Sequence, residues 1–197
     1  MPRRSQAQRS ATTQAALLNA TIDCLVERGF EGTSTPEICR RAEVSRGAQL
    51  HHFPTKVDLL VGAVEHLCDL RHSEFRTLVQ QGTTKSERID AAFEQLWKIY
   101  SSDTLTAWIE LTVGARTDPV LKAHMCRVSL RLEEEAEVTL RELFGIADDV
   151  PAQAAVRMVL SLLDGLAFRT MLQDEAAARK ALKVFRVLVE PYLGEGA

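Results

Sequence analysis

Residues 44–56 contain the side chains best suited to bind another molecule. Arg46 can donate two hydrogen bonds to a guanine edge, and Ala48 can contact a thymine methyl group. Gly47 and Ala48 also keep the surface low, so a helix built here could enter a DNA groove. Pro54 would end that helix abruptly. The segment therefore predicts a short helix that lies on nucleic acid.

Groups suited to bind phosphate flank this segment. Thr35 and Lys56 are each expected at a helix start, where backbone amides and the helix dipole favour an anion. His51 shares the face of Arg46 only approximately, so we expect it to contact phosphate, whereas Gln49 either reads a base or is partly buried. Each residue alone is more often an ordinary surface group or cap. Their arrangement predicts the DNA-binding set Thr35, Arg46, Gly47, Ala48, Gln49, His51 and Lys56.

Two short helices are needed to position these groups. Ser34 and Glu37 form a capping-box pattern, and Pro36 is tolerated only in a first helical turn. A tight turn at residues 43–44 would join this helix to the next and complete a helix-turn-helix over residues 34–53. A longer helix over about residues 12–28, stopped by Gly29, would pack on both. The expected small core contains Ile38, Cys39, Ala42, Val44 and Phe53.

The rest of the chain also predicts helices. No segment shows sustained alternation of β-branched residues, so the fold class is all-α. Glycines and prolines separate helices at about residues 56–75, 86–101, 104–117, 119–144, 151–173 and 174–193. We expect a basic flexible tail over residues 1–11, a DNA-binding domain over 12–64 and a larger helical ligand-binding and dimerisation domain over 65–197. The last two helices are too broadly apolar for one domain to cover, which favours a homodimer.

Aromatic and sulfur-containing side chains in the larger domain are interspersed with polar groups. A small-ligand pocket has this composition, although the same stripe is also typical of simple core. The candidate pocket residues are Phe93, Trp97, Tyr100, Trp108, Met125 and Asp164. No metal-ligand spacing joins the histidines, and no motif calls for a cofactor.

Composition and charge favour a reduced, non-membrane setting. The net charge is -3, yet residues 1–56 hold 8 Lys and Arg against 5 Asp and Glu, and the remainder holds 16 against 22. We expect DNA to bind at this basic N-terminal end. The four cysteines are far apart with no CxxC pair, and neither a membrane span nor a secretion signal is recognisable. We therefore expect a cytoplasmic protein without disulfides.

The N-terminal residues resemble the TetR family of bacterial transcriptional regulators. The resemblance covers about residues 12–64 and depends on the order and spacing of four groups: Leu25–Phe30, then Thr33–Thr35 with Ile38 and Ala42, then Val44–Gly47, and His51–Phe53 with Lys56, Leu59 and Leu60. Asp118–Leu121 and Leu163–Leu166 are similar to recurrent features of the family's C-terminal domain. The resemblance implies a dimer, formed by the last two helices, that binds a palindromic operator and responds to a small molecule.

Three positions depart from the family pattern. Leu50 stands where the family usually has a tyrosine that often contacts phosphate. Gln49 stands where it usually has a core leucine, and Glu43 occupies a turn position that often holds glycine. A glutamate there predicts mild strain if its backbone is left-handed.

Together these features predict a ligand-responsive transcriptional regulator. Repression is favoured over activation because a dimer bound at an operator can block polymerase. One alternative is a helical protein-interaction module, which salt-dependent retention on DNA would distinguish from a regulator. An enzyme is the less favoured alternative, since GxSxG, P-loop, GxGxxG and HExxH motifs are all missing from the sequence.

Overall fold

The computed structural model describes residues 6–145, 152–172 and 174–190. This part of the chain contains nine α-helices and no β-strand, which confirms the all-α prediction. The helices are α1 (Gln6–Gly32), α2 (Thr35–Arg41), α3 (Arg46–His52), α4 (Lys56–Gln80), α5 (Lys85–Tyr100), α6 (Asp103–Ala115), α7 (Pro119–Phe144), α8 (Ala152–Thr170) and α9 (Glu175–Val189). The expected helix ends at Pro151, Gln173 and residues 191–193 lie outside the described residues.

Helix α1 begins earlier than the sequence pattern predicts. Residues 6–11, which we expected within a flexible tail, already form its first turns. Their alanine, glutamine and arginine side chains have good helix propensity, and Thr12 Oγ1 donates to the carbonyl oxygen of Gln8 at 2.8 Å. Near the other end, Gly29 has φ +69° and ψ 179°, so the expected stop is a kink after which one short turn continues to Gly32.

Each compact unit of the fold is made of separate stretches of the chain. The chain forms two compact units, one made of the described residues up to Asp69 with Thr106–Arg127, the other of Leu70–Leu105 with the described residues from Val128 onward. Most of α6 and the start of α7 therefore belong with the N-terminal helices.

The N-terminal unit has the small three-helix core that the sequence predicts. Its buried members come from α1, α2, the end of α3 and α4: Leu17, Leu18, Ala20, Cys24, Ile38, Phe53, Leu59 and Ala63. Ala42 and Val44 pack against them from the turn. Glu43 in that turn has φ +55°, so its backbone is left-handed, which is the condition under which the sequence predicts mild strain.

The second unit has two apolar clusters. One joins α4, α5 and α7 through Phe75, Val79, Ile89, Ala92, Leu143 and Phe144. The other joins α5, α8 and α9 through Trp97, Leu163, Leu166, Ala178 and Leu182. None of the described helices is both long and apolar enough to cross a membrane.

Candidate nucleic-acid interface

Helix α3 is short, and its two ends fix which face it exposes. The Ser45 side chain caps the N-terminus by accepting a hydrogen bond from the Ala48 amide at 3.2 Å. Phe53 ends the helix and is buried in the three-helix core. The exposed positions of α3 are Arg46, Gly47, Leu50 and His51, while Ala48 and His52 are half-buried.

Gln49 belongs to the core and not to the DNA-facing set. Only 1% of the residue is exposed, and its Nε2 donates to the carbonyl oxygen of Phe53 at 2.5 Å. Its Oε1 atom is buried without a hydrogen-bond partner among the described residues. Gln49 thus takes the core position of the family's leucine, and its inclusion among the DNA-binding residues is corrected.

Two of the predicted phosphate-binding groups already have partners within the N-terminal unit. Arg46 Nη1 donates to Thr35 Oγ1, so the base-reading candidate and the start of α2 are directly joined. Lys56 Nζ lies 5.0 Å from the centre of the Phe30 ring, which is a cation–π distance. His51 is exposed and packs edge-on against His52, with ring centres 5.4 Å apart. The structure brings Thr35 and Arg46 together and keeps the exposed side of α3 cationic.

An ion-pair cluster centred on Glu37 holds α1 and α2 together. Glu37 accepts hydrogen bonds from Arg40 and Arg41 at 2.8–2.9 Å and pairs with Arg28 at 3.0 Å. Arg41 also pairs with Glu27 at 2.6 Å. The hydrogen bonds from Arg40 and Arg41, with the nearby charge of Arg28, hold the pKa of Glu37 at about 2.

The capping box expected at the start of α2 is wrong. Ser34 makes no side-chain cap hydrogen bond, and the Glu37 carboxylate accepts hydrogen bonds from Arg40 and Arg41. The spacing of Glu37 to Arg40 and Arg41, three and four residues, is a signal in the sequence that predicts such pairs. The link to α1 through Arg28 has no comparable local signal.

Glu110 makes a contact with α1 that no local pattern in the sequence predicts. Its Oε2 accepts a hydrogen bond from the Phe30 amide at 2.8 Å, at the kink of α1. A Cβ atom at Gly29 would lie 2.8 Å from that oxygen, and one at Gly114 would lie 2.7 Å from the Phe30 ring. Helix α6 therefore approaches the kink closely. The Phe30 ring that it contacts also forms the cation–π contact with Lys56.

The six candidate pocket residues are divided between the two compact units. Trp108 and Met125 belong to the N-terminal unit, whereas Phe93, Trp97, Tyr100 and Asp164 belong to the other. Phe93 and Tyr100 are half-buried around Trp97, and Asp164 is exposed. Aromatic content indicated apolar packing correctly, but could not distinguish a pocket from core.

Of those six residues, Trp97 alone lines a cleft of about 510 Å³ in the second unit. The other lining residues are Leu78, Gln81, Ala91, Glu94, Gln95, Lys98, Ser101 and Arg179. The Trp97 indole donates to Glu175 at 3.0 Å, and the Arg179 guanidinium lies 5.5 Å from the Trp97 ring centre. Gln95 is buried, and its Nε2 has no partner among the described residues. The cleft thus offers apolar walls, an amide donor and charged groups at its rim.

Helices α8 and α9 expose apolar side chains on the faces opposite their buried ones. Val156, Leu163 and Ala167 of α8 are buried, while Met158 and Phe168 are more than half exposed. On α9 the exposed apolar residues recur at helical spacing: Val184, Val187 and Leu188.

A helix-turn-helix with an exposed cationic face, followed by a larger helical domain, defines the class of helix-turn-helix transcriptional regulators. The protein families that the sequence matches belong to the same class. The model described as "Bacterial regulatory proteins, tetR family" matches residues 17–63, and the model described as "BetI-type transcriptional repressor, C-terminal" matches residues 72–194.

Individual relatives are similar along most of the chain. The HTH-type transcriptional regulator CymR of Pseudomonas putida is 28% identical over 176 residues, covering 88% of this chain and 86% of that protein. An HTH-type transcriptional regulator of Mycobacterium tuberculosis is 30% identical over 167 residues, covering 83% and 85%. The crystal structure of a TetR-family regulator from Rhodococcus sp. has the same fold, with a TM-score of 0.77 at 20% identity over 93% of this chain and 100% of that one.

The chain therefore belongs to the TetR family of bacterial transcriptional regulators, and its C-terminal domain is of the BetI type. It is a regulator and not an enzyme.

Proposed function

We propose that this protein is a ligand-responsive repressor that binds a palindromic operator as a homodimer and is released by a small molecule. The observation that carries the proposal is the exposed face of α3, where Arg46, Gly47 and His51 lie together. Arg46 hydrogen-bonds to Thr35 at the start of α2. We expect the protein to act in the cytoplasm, where its operator is accessible.

The side chains of this face would have different roles on DNA. Arg46 would donate to a guanine edge in the major groove, and Gly47 would let the helix approach closely. Thr35, His51 and Lys56 would contact phosphates and fix the position of the helix. Ala48 is half-buried and would contribute at most an apolar contact.

The exposed apolar faces of α8 and α9 support the homodimer. A monomer in water would leave Met158, Phe168, Val184 and Leu188 uncovered, and pairing with a second copy would bury them. The two α3 helices of the dimer would then meet neighbouring major grooves on one side of the DNA, about 34 Å apart. Such a dimer requires a palindromic site.

The effector is proposed to act by changing the separation of the two α3 helices in the dimer. The cleft around Trp97 and Gln95 has the mixture of apolar walls and few polar groups that a small ligand needs. The contacts of α6 with Phe30, and of Phe30 with Lys56, offer a physical route from α6 to a phosphate-binding group. A ligand need only favour the geometry that does not bind DNA by a few kcal/mol.

Repression is the favoured outcome of operator binding. A bound dimer obstructs polymerase sterically, and the C-terminal domain matches a model that is described as a repressor. Screening small molecules by thermal shift, followed by release from DNA, would identify the effector.

The central experiment selects bound sequences from a random DNA pool with the purified full-length protein. Arg46→Ala should weaken binding to the selected site by about 1–3 kcal/mol and leave binding to random DNA much less affected. Lys56→Ala should weaken binding to both and lower the salt dependence by about one counterion.

Arg127→Ala, which removes an exposed arginine of α7, is the matched control. It should change neither binding to the selected site nor binding to random DNA. If no sequence is enriched, the protein does not act as an operator-binding regulator. Equal losses on selected and random DNA for both variants would contradict the assigned roles.

A further inference from the structure

Leu50 is an apolar side chain on the DNA-facing side of α3. It is 45% exposed, although the neighbouring polar Gln49 is buried in the core. The polar residue is therefore buried and the apolar residue exposed, which is the reverse of the usual arrangement. Local departures of this kind are expected at functional or strained sites.

The surroundings of Leu50 are polar and cationic. It lies four residues after Arg46 and three after Gly47, which places all three on adjacent turns of one face. A Cβ atom at Gly47 would meet nothing within 4 Å, so the surface between Arg46 and Leu50 is open. A base edge can therefore approach both side chains at once.

The major groove offers one apolar group that could cover Leu50. Among the base edges displayed there, the C5-methyl of thymine is the hydrocarbon group, and the others are hydrogen-bond donors and acceptors. Leu50 cannot make the phosphate hydrogen bond that a tyrosine could. We propose that Leu50 contacts a thymine methyl group and is a specificity-determining residue of the operator.

The helix geometry restricts where this thymine lies. Four residues advance an α-helix by about 6 Å, which corresponds to roughly two base-pair steps. The contacted thymine should therefore lie within about two base pairs of the base read by Arg46. The inference rests on operator binding by α3 and adds a base preference to it.

The test replaces thymine by deoxyuridine, which lacks only the methyl group. Each thymine of the duplex selected by the full-length protein is changed in turn, and affinity is measured by fluorescence anisotropy. One position per half-site should weaken wild-type binding about fourfold, since one buried methyl contributes about 0.8 kcal/mol and 1.4 kcal/mol is tenfold. Leu50→Ala should bind the thymine duplex more weakly and show no further loss with deoxyuridine.

Two variants serve as controls. Leu50→Met keeps an apolar side chain and should retain the deoxyuridine effect, and Leu130→Ala removes a similarly exposed leucine of α7 and should behave as wild type. A wild-type affinity that is unchanged by deoxyuridine at every thymine would overturn the inference. So would an effect that persists in Leu50→Ala, because another residue such as Ala48 would then make the contact. Failure to select any sequence would instead contradict the proposed function.

Discussion

Gln49 determines which side of α3 faces away from the core. Its amide is buried, donates to the Phe53 carbonyl oxygen and leaves Oε1 without a partner among the described residues. An apolar side chain of similar length would lose that hydrogen bond, worth about 1 kcal/mol, but would also remove a buried acceptor that has no donor. The amide is therefore not needed for stability, although the volume of the side chain is.

Two substitutions separate the contribution of the Gln49 amide group to stability from that of the side-chain volume. Gln49→Leu should change the free energy of unfolding by less than about 1 kcal/mol, whereas Gln49→Ala should lower it by about 2 kcal/mol or more through the cavity it leaves. Denaturant unfolding measures both. Base discrimination by the folded protein should be the same in Gln49→Leu as in wild type, and a change in the preferred base would show that Gln49 reaches DNA after all.

Glu37 makes the link between α1 and α2 sensitive to acid. Its pKa is lowered from 4.5 to about 2 by hydrogen bonds from Arg40 and Arg41 and by the charge of Arg28. A carboxylate with a lowered pKa stabilises the folded state fully above pH 4.5, and the contribution is lost as the pH falls towards 2. Glu37→Gln should therefore be less stable than wild type at pH 7, and the difference should shrink below pH 4.5.

Thermal unfolding from pH 7 to pH 2 checks this dependence. Glu134→Gln, at an exposed position of α7, is the matched control and should follow the wild-type curve. A Glu37→Gln deficit that is the same at pH 3 and pH 7 would mean that the arginine cluster does not determine the acid response.

Local patterns in the sequence predicted what depends on neighbouring residues. The proline in the first turn of α2 follows from a single-residue preference, and the structure confirms it. The stop predicted at Gly29 is instead a kink, and the left-handed backbone of Glu43 goes against the preference of a glutamate. The burial of Gln49 could not be derived, because a seven-residue helix is too short for its periodicity to show which neighbour faces the core. The bond from Phe30 to Glu110 joins residues 80 positions apart, for which no local signal exists.

At the scale of elements, the contact of α6 with the kink of α1 connects distant parts of the sequence. The close approach depends on Gly114, where an added Cβ would lie 2.7 Å from the Phe30 ring. The same ring supports the ammonium group of Lys56. A shift of the ring should therefore affect both the packing of α6 and the placement of Lys56, the proposed phosphate-binding group.

Gly114→Ala tests this connection. The added methyl group should displace the Phe30 ring and lower the free energy of unfolding by about 1–3 kcal/mol. It should also weaken binding to selected and random DNA alike, by less than Lys56→Ala does. In the double variant the DNA effects should not add, because both changes act on the same contact.

Val113→Ala is the neighbouring control, since Val113 is exposed on α6 and its truncation should alter neither property. Fully additive losses of DNA affinity in the Gly114→Ala, Lys56→Ala double variant would show that the Phe30 ring does not connect them.

At the scale of the whole molecule, the exposed apolar faces of α8 and α9 form the proposed pairing surface, on which binding of two α3 helices to one DNA would depend. Leu188 is 64% exposed and lies on the same face as Val184 and Val187. An arginine at position 188 would be harmless on a monomer surface. In a dimer interface the arginine of each protomer would lose its water without gaining a charged partner, which costs several kcal/mol. Leu188→Arg should therefore produce a folded monomer in sedimentation velocity.

Loss of the proposed dimer should have a consequence that misfolding would not reproduce. The monomer should retain the wild-type affinity for an isolated half-site, whereas its affinity for the full palindrome should fall by about 100-fold or more, because the second head no longer binds as part of one molecule. Val138→Arg, on a 53% exposed apolar residue of α7, should remain a dimer with full affinity. A Leu188→Arg protein that sediments as a dimer would place the pairing surface on another face, and the proposed separation of the two α3 helices would then have no structural basis.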